Sequence, residues 1–307
     1  MPTLTRRTAL LSAAAAPAAL AVSASAPALA AGHGGAAMPR ARSFTLGDFQ
    51  VTTLLSATMP REEPQGIFGL NVSAEEFAAV SEENFLPTDV AQFYFTPTLV
   101  NTGSEVILFD TGLSAESMVP ALAEAGVTPD DITHVVITHM HGDHIGGLTT
   151  ETGDKTYANA ALITGQVEFD HWAGAENEGF EAKVRPFAEE FSFVGDAESI
   201  ASGVTSVASF GHTPGHMTWM LESGGNQLFI AGDLANHHVY SVAYPDWEVR
   251  FDMDKPAAAA MRRQVLSMLA ADKVPFVGYH MPFPAVGYVQ PRDDGFRFVP
   301  VTYQMMG

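Results

Sequence analysis

The chain has 307 residues, with 15 Lys plus Arg against 35 Asp plus Glu and a formal charge of -20. That balance excludes a binder of phosphate backbones and disfavours an anionic membrane surface. Cys is absent, which excludes disulfides, thiolate metal sites, Cys nucleophiles and iron–sulfur clusters, while 47% hydrophobic residues suffice for a packed core.

The chain opens on an address. Arg6 and Arg7 precede an apolar, Ala-rich run over 9–21, and Ala28-Leu29-Ala30 forms a small-residue cleavage pattern. These features predict a secretory signal over residues 1–30. Thr5-Arg6-Arg7-Thr8-Ala9-Leu10-Leu11 is similar to twin-arginine signals, so a periplasmic or secreted product is expected. Residues 31–43, rich in Gly, Ala and Pro, read as a flexible linker, and 44–307 as one domain. Beyond the signal no stretch reaches the ~20 apolar residues of a membrane span, so no membrane anchoring is expected after its removal.

Residues 44–55 and 90–100 predict strands, rich in β-branched and aromatic side chains. Ser73 with Glu76 is a capping pattern that opens a helix running to about residue 81. A strand over 105–110 ends on Asp110, and a helix over 114–125 closes at Gly126. A strand over 134–138 runs into His139, and another over 227–231 runs into Gly232-Asp233. A helix over 255–271 begins at Asp254 with Pro256 in its first turn, and a last apolar strand, 275–279, ends at His280. Strands and helices alternate, which makes the domain α/β. Four strands thus end on Asp110, His139, Asp233 and His280, and convergence of those ends on one rim would make a site.

Thr138-His139-Met140-His141-Gly142-Asp143-His144 holds three His and one Asp within six residues. Imidazole and carboxylate suit zinc or another borderline divalent ion. Four such donors are too many for one tetrahedral ion that keeps an open position, so the loop is expected to serve two metals. By spacing alone, either His212 or His216 could be a further ligand.

The H-x-H-x-D-H pattern resembles that of the metallo-β-lactamase superfamily, over nearly all of 44–307. The resemblance implies an αββα sandwich of two mixed sheets flanked by helices. It implies that His139, His141 and His212 hold one metal, that Asp143, His144 and His280 hold the other, and that Asp233 bridges both. Phe210-Gly211-His212-Thr213-Pro214-Gly215-His216 matches the motif whose first His is the ligand, leaving His216 behind it. Asp110, in Phe109-Asp110-Thr111-Gly112, matches a residue that orients metal-bound groups. The cofactor expected is a pair of divalent ions, zinc by preference, with Mn, Co and Fe also suited. A water held between them would be the nucleophile, with Asp143 and Asp233 as the catalytic carboxylates that hold its metals.

Within the superfamily the chain most resembles the methyl parathion hydrolase-like branch, through the 138–144 loop, residues 251–260 and the tail from His280 to Pro284 and over 299–303. That likeness implies hydrolysis of a phosphotriester, lactone or aryl ester. Asn236 stands where dedicated acyl-homoserine lactonases carry Tyr, and Asp233 argues against β-lactam hydrolysis. Iron-dependent redox chemistry, or β-lactamase-like amide hydrolysis, is the alternative on the same ligands. The substrate is expected to be a small apolar ester, with Trp172, His171, His237 and His238 as pocket residues and Phe93, Tyr94, Phe95, Phe187, Phe191 and Phe193 as further wall candidates. Relatives in the branch are often dimers, so a homodimer is expected. Nucleic acid is not expected as a partner.

Overall fold

The computed structural model describes residues 38–301, so the signal expected over 1–30 lies outside the described residues. The first strand, β1 (Ala41–Leu46), starts three residues inside the expected linker and pairs antiparallel with β2 (Phe49–Leu54). Gly47, at φ 59, turns the chain between them, so the predicted single strand is a hairpin. Next come β3 (Ala57–Glu62), α1 (Ala74–Glu83), β4 (Val90–Phe95) and β5 (Thr98–Asn101). The expected 90–100 strand breaks at Pro97, which has no N–H for a ladder. Its first part pairs with β3 and its second joins the main sheet. Ser73 Oγ accepts from Glu76 N, so α1 carries its predicted N-cap.

The chain continues through β6 (Val106–Phe109), α2 (Ala115–Glu124), β7 (His134–Ile137), α3 (Gly142–Ile145), β8 (Ala161–Gly165), α4 (Gln166–Ala173), α5 (Glu178–Lys183) and β9 (Phe191–Val194). One sheet has the order β1-β2-β5-β6-β7-β8-β9, with β6 to β9 mutually parallel. The second half supplies β10 (Ser199–Ala201), β11 (Val204–Ala208), β12 (Met217–Ser223), β13 (Asn226–Ile230), α6 (Lys255–Asp272), β14 (Phe276–Val277), β15 (Val286–Arg292) and β16 (Gly295–Pro300). They form a second sheet in chain order, with β13 and β14 parallel.

The alternating side chains explain the layers. Ile107 and Phe109 of β6 and Val136 of β7 pack against Trp219, Phe229 and Ile230 of the second sheet. Their neighbours Leu108, Val135 and Ile137 point the other way, onto Met118 and Leu122 of α2. Strands buried on both faces read as unbroken apolar runs, as these do. Val265, Leu266 and Leu269 of α6 join the core on the second sheet. The result is an αββα sandwich of two mixed sheets flanked by helices. At ~1.5–3 kcal/mol per fully buried large apolar side chain, this core is what holds the polar strand ends in place. Asp110, His139, Asp233 and His280 follow β6, β7, β13 and β14, the parallel central strands of both sheets, at one rim.

Candidate metal centre

The loop after β7 turns immediately into α3, with His141 at its N-cap and Asp143 and His144 in its first turn. That change of backbone direction splits the four side chains between two groups of donors. His139, His141, His212 and Asp233 converge in one group, and Asp143, His144 and His280 in the other, the donor atoms of each lying within 4.8 Å of one another. All seven expected ligands are thereby brought together. His141 and Asp143 are half-buried and the other five are buried.

The ring nitrogens show what the first group lacks. His139 Nε2 and His141 Nδ1 are 3.1 Å apart, His212 Nε2 is 3.2 Å from the first and 3.0 Å from the second. The outer nitrogen of His212 lies 2.8 Å from Asp252 Oδ1, and that of His139 lies 3.1 Å from Thr138 Oγ1. Protons placed on those outer nitrogens leave bare lone pairs facing one another inside, an arrangement that a cation stabilises. His144 and His280 follow the same rule. His144 Nδ1 donates to Asp110 Oδ2 at 2.9 Å, and His280 Nδ1 donates to the Tyr94 carbonyl at 2.7 Å. His144 Nε2 and Asp233 Oδ1, both buried, have no hydrogen-bond partner although they lie 3.2 Å apart. The donor set therefore fits two divalent ions.

Asp233 stands between the groups. Its Oδ2 is 3.4 Å from His212 Nε2 and 3.2 Å from His280 Nε2, while Oδ1 faces His144. Asn236 Nδ2 donates to the same Oδ2 at 2.9 Å. The electrostatics of the two groups differ. Burial, with the neighbouring rings, pushes His139 well below the usual imidazole value and His141 down to about 3. Burial opposes charge on His144 and His280 too, but the carboxylates prevail. Asp233, Asp110 and Asp143 raise His144 well above the ordinary value, and Asp233 and Asp143 raise His280 to about 10. Against burial, His144 and His280 hold Asp143 at about 2 and Asp233 well below the carboxylate range.

Second-layer partners set these orientations. Asp110, at a left-handed φ of 63, accepts from Thr138 N and Oγ1 as well as from His144. His216 does not join the ligand groups. Its Nδ1 donates to the Ser209 carbonyl at 3.2 Å and its Nε2 accepts from Asp233 N at 3.1 Å, so both nitrogens are spent holding the backbone beneath Asp233. Gly232, at φ 50, passes so close that a Cβ there would lie 2.7 Å from His216 Nε2.

Three functional residues escaped the sequence reading. Asp252 joins His212 to Arg262, whose Nη2 lies 2.6 Å from Asp252 Oδ2, and Arg262 is fully buried. Its signal was the 251–260 segment, which the ligand pattern alone does not explain. Glu168, fully buried in α4, accepts from Met140 N, Trp172 Nε1, Thr213 Oγ1 and Gly215 N at 2.6–3.0 Å. It ties the first metal loop to the His212 loop, yet a single Glu in a helix carries no sequence signal. The Tyr279 ring lies tilted against His144, centroids 3.9 Å apart, and its hydroxyl donates to the Asp143 carbonyl.

A cleft of about 280 Å³ opens beside His280 and is lined by His237, His238, Tyr94, Tyr240, Leu86 and Pro282 among others. His237 and His238, expected as pocket residues, line this cleft. Trp172 and His171 do not line this cleft. Trp172 is buried against His141, ring centroids 5.8 Å apart, and His171 packs on Trp172. Of the other wall candidates, Phe93 and Phe95 are buried with their rings on His280, each 5.4 Å away. Phe191 is core, while Phe193 is partly exposed against Phe169.

Residues 96–277 match the metallo-beta-lactamase superfamily, a span that holds six of the seven converging side chains. The chain belongs to that superfamily. Among its relatives is the lactamase-like protein adaB of Aspergillus niger, 30% identical over 151 residues, 47% of this chain and 40% of that protein. Another is an N-acyl homoserine lactonase of Bacillus cereus, 26% identical over 115 residues, 38% of this chain and 43% of that one. The chain spans less than half the length of these curated relatives. Two solved structures share the superfamily fold. The dizinc quorum-quenching lactonase AidC, solved with a product, has a TM-score of 0.78 at 24% identity, over 87% of this chain and 99% of that one. The hydrolase AbOPH of the beta lactamase superfamily has a TM-score of 0.79 at 21% identity, over 87% and 99%.

Proposed function

We propose that this metallo-β-lactamase-fold chain is a two-metal hydrolase of ester-type bonds, taking a lactone, aryl ester or phosphotriester, with zinc as its ion. The observation that supports this most is the set of deprotonated donors turned inward: bare imidazole nitrogens 3.0–3.2 Å apart, and Asp233 set between the two groups. Two divalent ions bound there would supply a water activated at neutral pH and a Lewis acid for the ester oxygen.

The chain's own residues do the rest. Asp110, Asp252 and the Tyr94 carbonyl orient His144, His212 and His280 with their inner nitrogens facing the converging donors. Glu168 fixes the spacing of the two loops that carry His139, His141 and His212. The cleft beside His280 gives an apolar ester a place to lie next to the donors. The likeness of residues 251–260 and the tail to the methyl parathion hydrolase-like branch supports the ester class, and Asn236, in contact with Asp233, argues against a dedicated acyl-homoserine lactonase. The signal pattern over 1–30 supports export by the twin-arginine route, and a mature protein starting at Ala31 outside the cytoplasm is the expected product. N-terminal sequencing of the exported protein checks it, and an uncleaved cytoplasmic chain contradicts it.

The test of function is acid release in weak buffer by the zinc-reloaded protein. It is offered an aromatic lactone, an acyl-homoserine lactone, an aryl ester, a phosphotriester and a β-lactam. Turnover within the ester group, abolished by a chelator, is expected. Turnover of the β-lactam alone, or of nothing with two ions bound, would overturn the reading.

A further inference from the structure

We propose that His237 is a hydrogen-bond donor for the substrate, and that the cleft takes an uncharged ester whose apolar arm carries an acceptor oxygen. The proposal rests on the ester-hydrolase reading and names which esters it favours.

The backbone decides where the His237 proton sits. Val239 N and Tyr240 N both donate to His237 Nδ1, each at 3.1 Å. A nitrogen that accepts two N–H groups is a lone pair, so the neutral ring carries its proton on Nε2. Among the described residues no hydrogen bond uses Nε2, and it is not one of the solvent-sealed polar atoms. The ring lines the cleft together with His280, so Nε2–H is what it offers there. Its position is fixed by stacking on Tyr240 at 4.4 Å and by Phe68 at 5.3 Å.

The same aromatic wall sets the distance from the chemistry. Phe68 stacks on Phe93 at 5.7 Å, and the edge of Phe93 meets His280 at 5.4 Å. His237 is therefore two rings removed from the ligand His280. A scissile bond held beside His280 places His237 along the substrate's arm.

Charge selects the class of arm. The cleft lining contains no Lys, Arg, Asp or Glu. Burial keeps both remaining imidazoles neutral at pH 7, with His237 well below its ordinary value and His238 at about 4. Away from His280 the lining carries no charge, so a carboxylate on the arm's outer end would leave water without a counter-charge beside it. An amide, ester or phosphoryl oxygen needs one neutral donor, and one is present.

Three esters with the same scissile bond and leaving group test this on the zinc-loaded protein. Their arms carry an amide, a plain alkyl chain of equal length, or a carboxylate. His237→Asn sets a side-chain oxygen at the place of Nδ1, so the two backbone N–H groups keep their acceptor while the outer donor is lost. His237→Gln carries an amide N–H further out. His237→Asn is expected to raise KM for the amide-armed ester about 3- to 10-fold with kcat little changed, the range for one neutral hydrogen bond. The alkyl-armed ester should lose markedly less than the amide-armed one, and His237→Gln should recover part of the difference. The wild-type protein should handle the carboxylate arm at least about tenfold less efficiently than the amide arm. Equal losses on amide and alkyl arms, no loss on either, or a carboxylate arm accepted as well as the amide would overturn the proposal while leaving the ester-hydrolase reading intact. If no ester is turned over with two ions bound, that reading fails and this proposal falls with it.

Discussion

The decisive property of this site at the scale of single residues is where each imidazole keeps its proton. Asp252 illustrates it, since it orients His212 and neutralises the buried Arg262 at once. Asp252→Asn is predicted to weaken metal binding about 10- to 100-fold, the usual loss when an outer-layer partner of a ligand is removed. Competition titration against a chelator of known affinity measures it, and unchanged affinity would show that His212 needs no such partner. Glu168 gives a second prediction. It accepts four hydrogen bonds, so Glu168→Gln turns an N–H toward donors and should cost about 1–3 kcal/mol in a urea melt. A melt identical to wild type would remove Glu168 from the frame of the site. The converging donors were largely legible because metal chemistry demands dense His and Asp. Asp252 was visible only as an unexplained segment, and Glu168 not at all, because one carboxylate acquires its role from partners 28, 45 and 47 residues away.

Elements deliver those residues, and their legibility follows from local physics. The helices that begin on a cap and the strands that end on a polar residue were readable from periodicity and capping chemistry. Asp254 caps α6, its Oδ1 accepting from Ala257 N at 3.0 Å. Asp254→Ala should lower stability by ~0.5–2 kcal/mol with both ions still bound, as thermal melts and metal analysis would show. Loss of one ion together with stability would mean that α6 is needed to seat the neighbouring Asp252. The hairpin at Gly47 and the break at Pro97 were less legible, because β-branched runs continue across both turns. The short β8 to β12, β15 and β16 were missed for another reason. Their stability comes from the neighbours they pair with, and isolated segments of three to seven residues carry little signal of that. Gly215 marks where two elements nearly touch, since a Cβ there would lie 2.1 Å from Glu168 N.

The whole molecule couples its stability to protons through the same cluster. In the metal-free protein His280 is raised to about 10 and His144 also lies well above its ordinary value. Their contribution is complete below the unfolded value of ~6.5 and is lost as pH rises through about 10. His139, His141 at about 3 and His216 at about 3 are instead held neutral. They cost stability as pH falls below ~6.5, where the unfolded chain takes up protons that they cannot. The chelated protein should therefore be most stable near pH ~6.5 and weaken on both sides. Thermal melts from pH 5 to pH 10 in chelator check it, and a steady rise to pH 9 would contradict it. The α/β class and six of the seven converging donors were legible from strand ends and one dense motif, while His212 and the sandwich arrangement came from the resemblance to the superfamily. The neutral cleft was not legible, because it is assembled from β4, the loop after β13 and the loop after β14, far apart in the chain.

The proposed hydrolase activity rests on two ions shared through Asp233. The most direct measurement is ester turnover against added zinc equivalents, starting from chelated protein, for wild type and Asp233→Ala. Activity is expected to saturate at two zinc ions per chain in the wild type and to stay at background in the variant. Full turnover at one equivalent or none, or an Asp233→Ala protein as active as wild type, would contradict it.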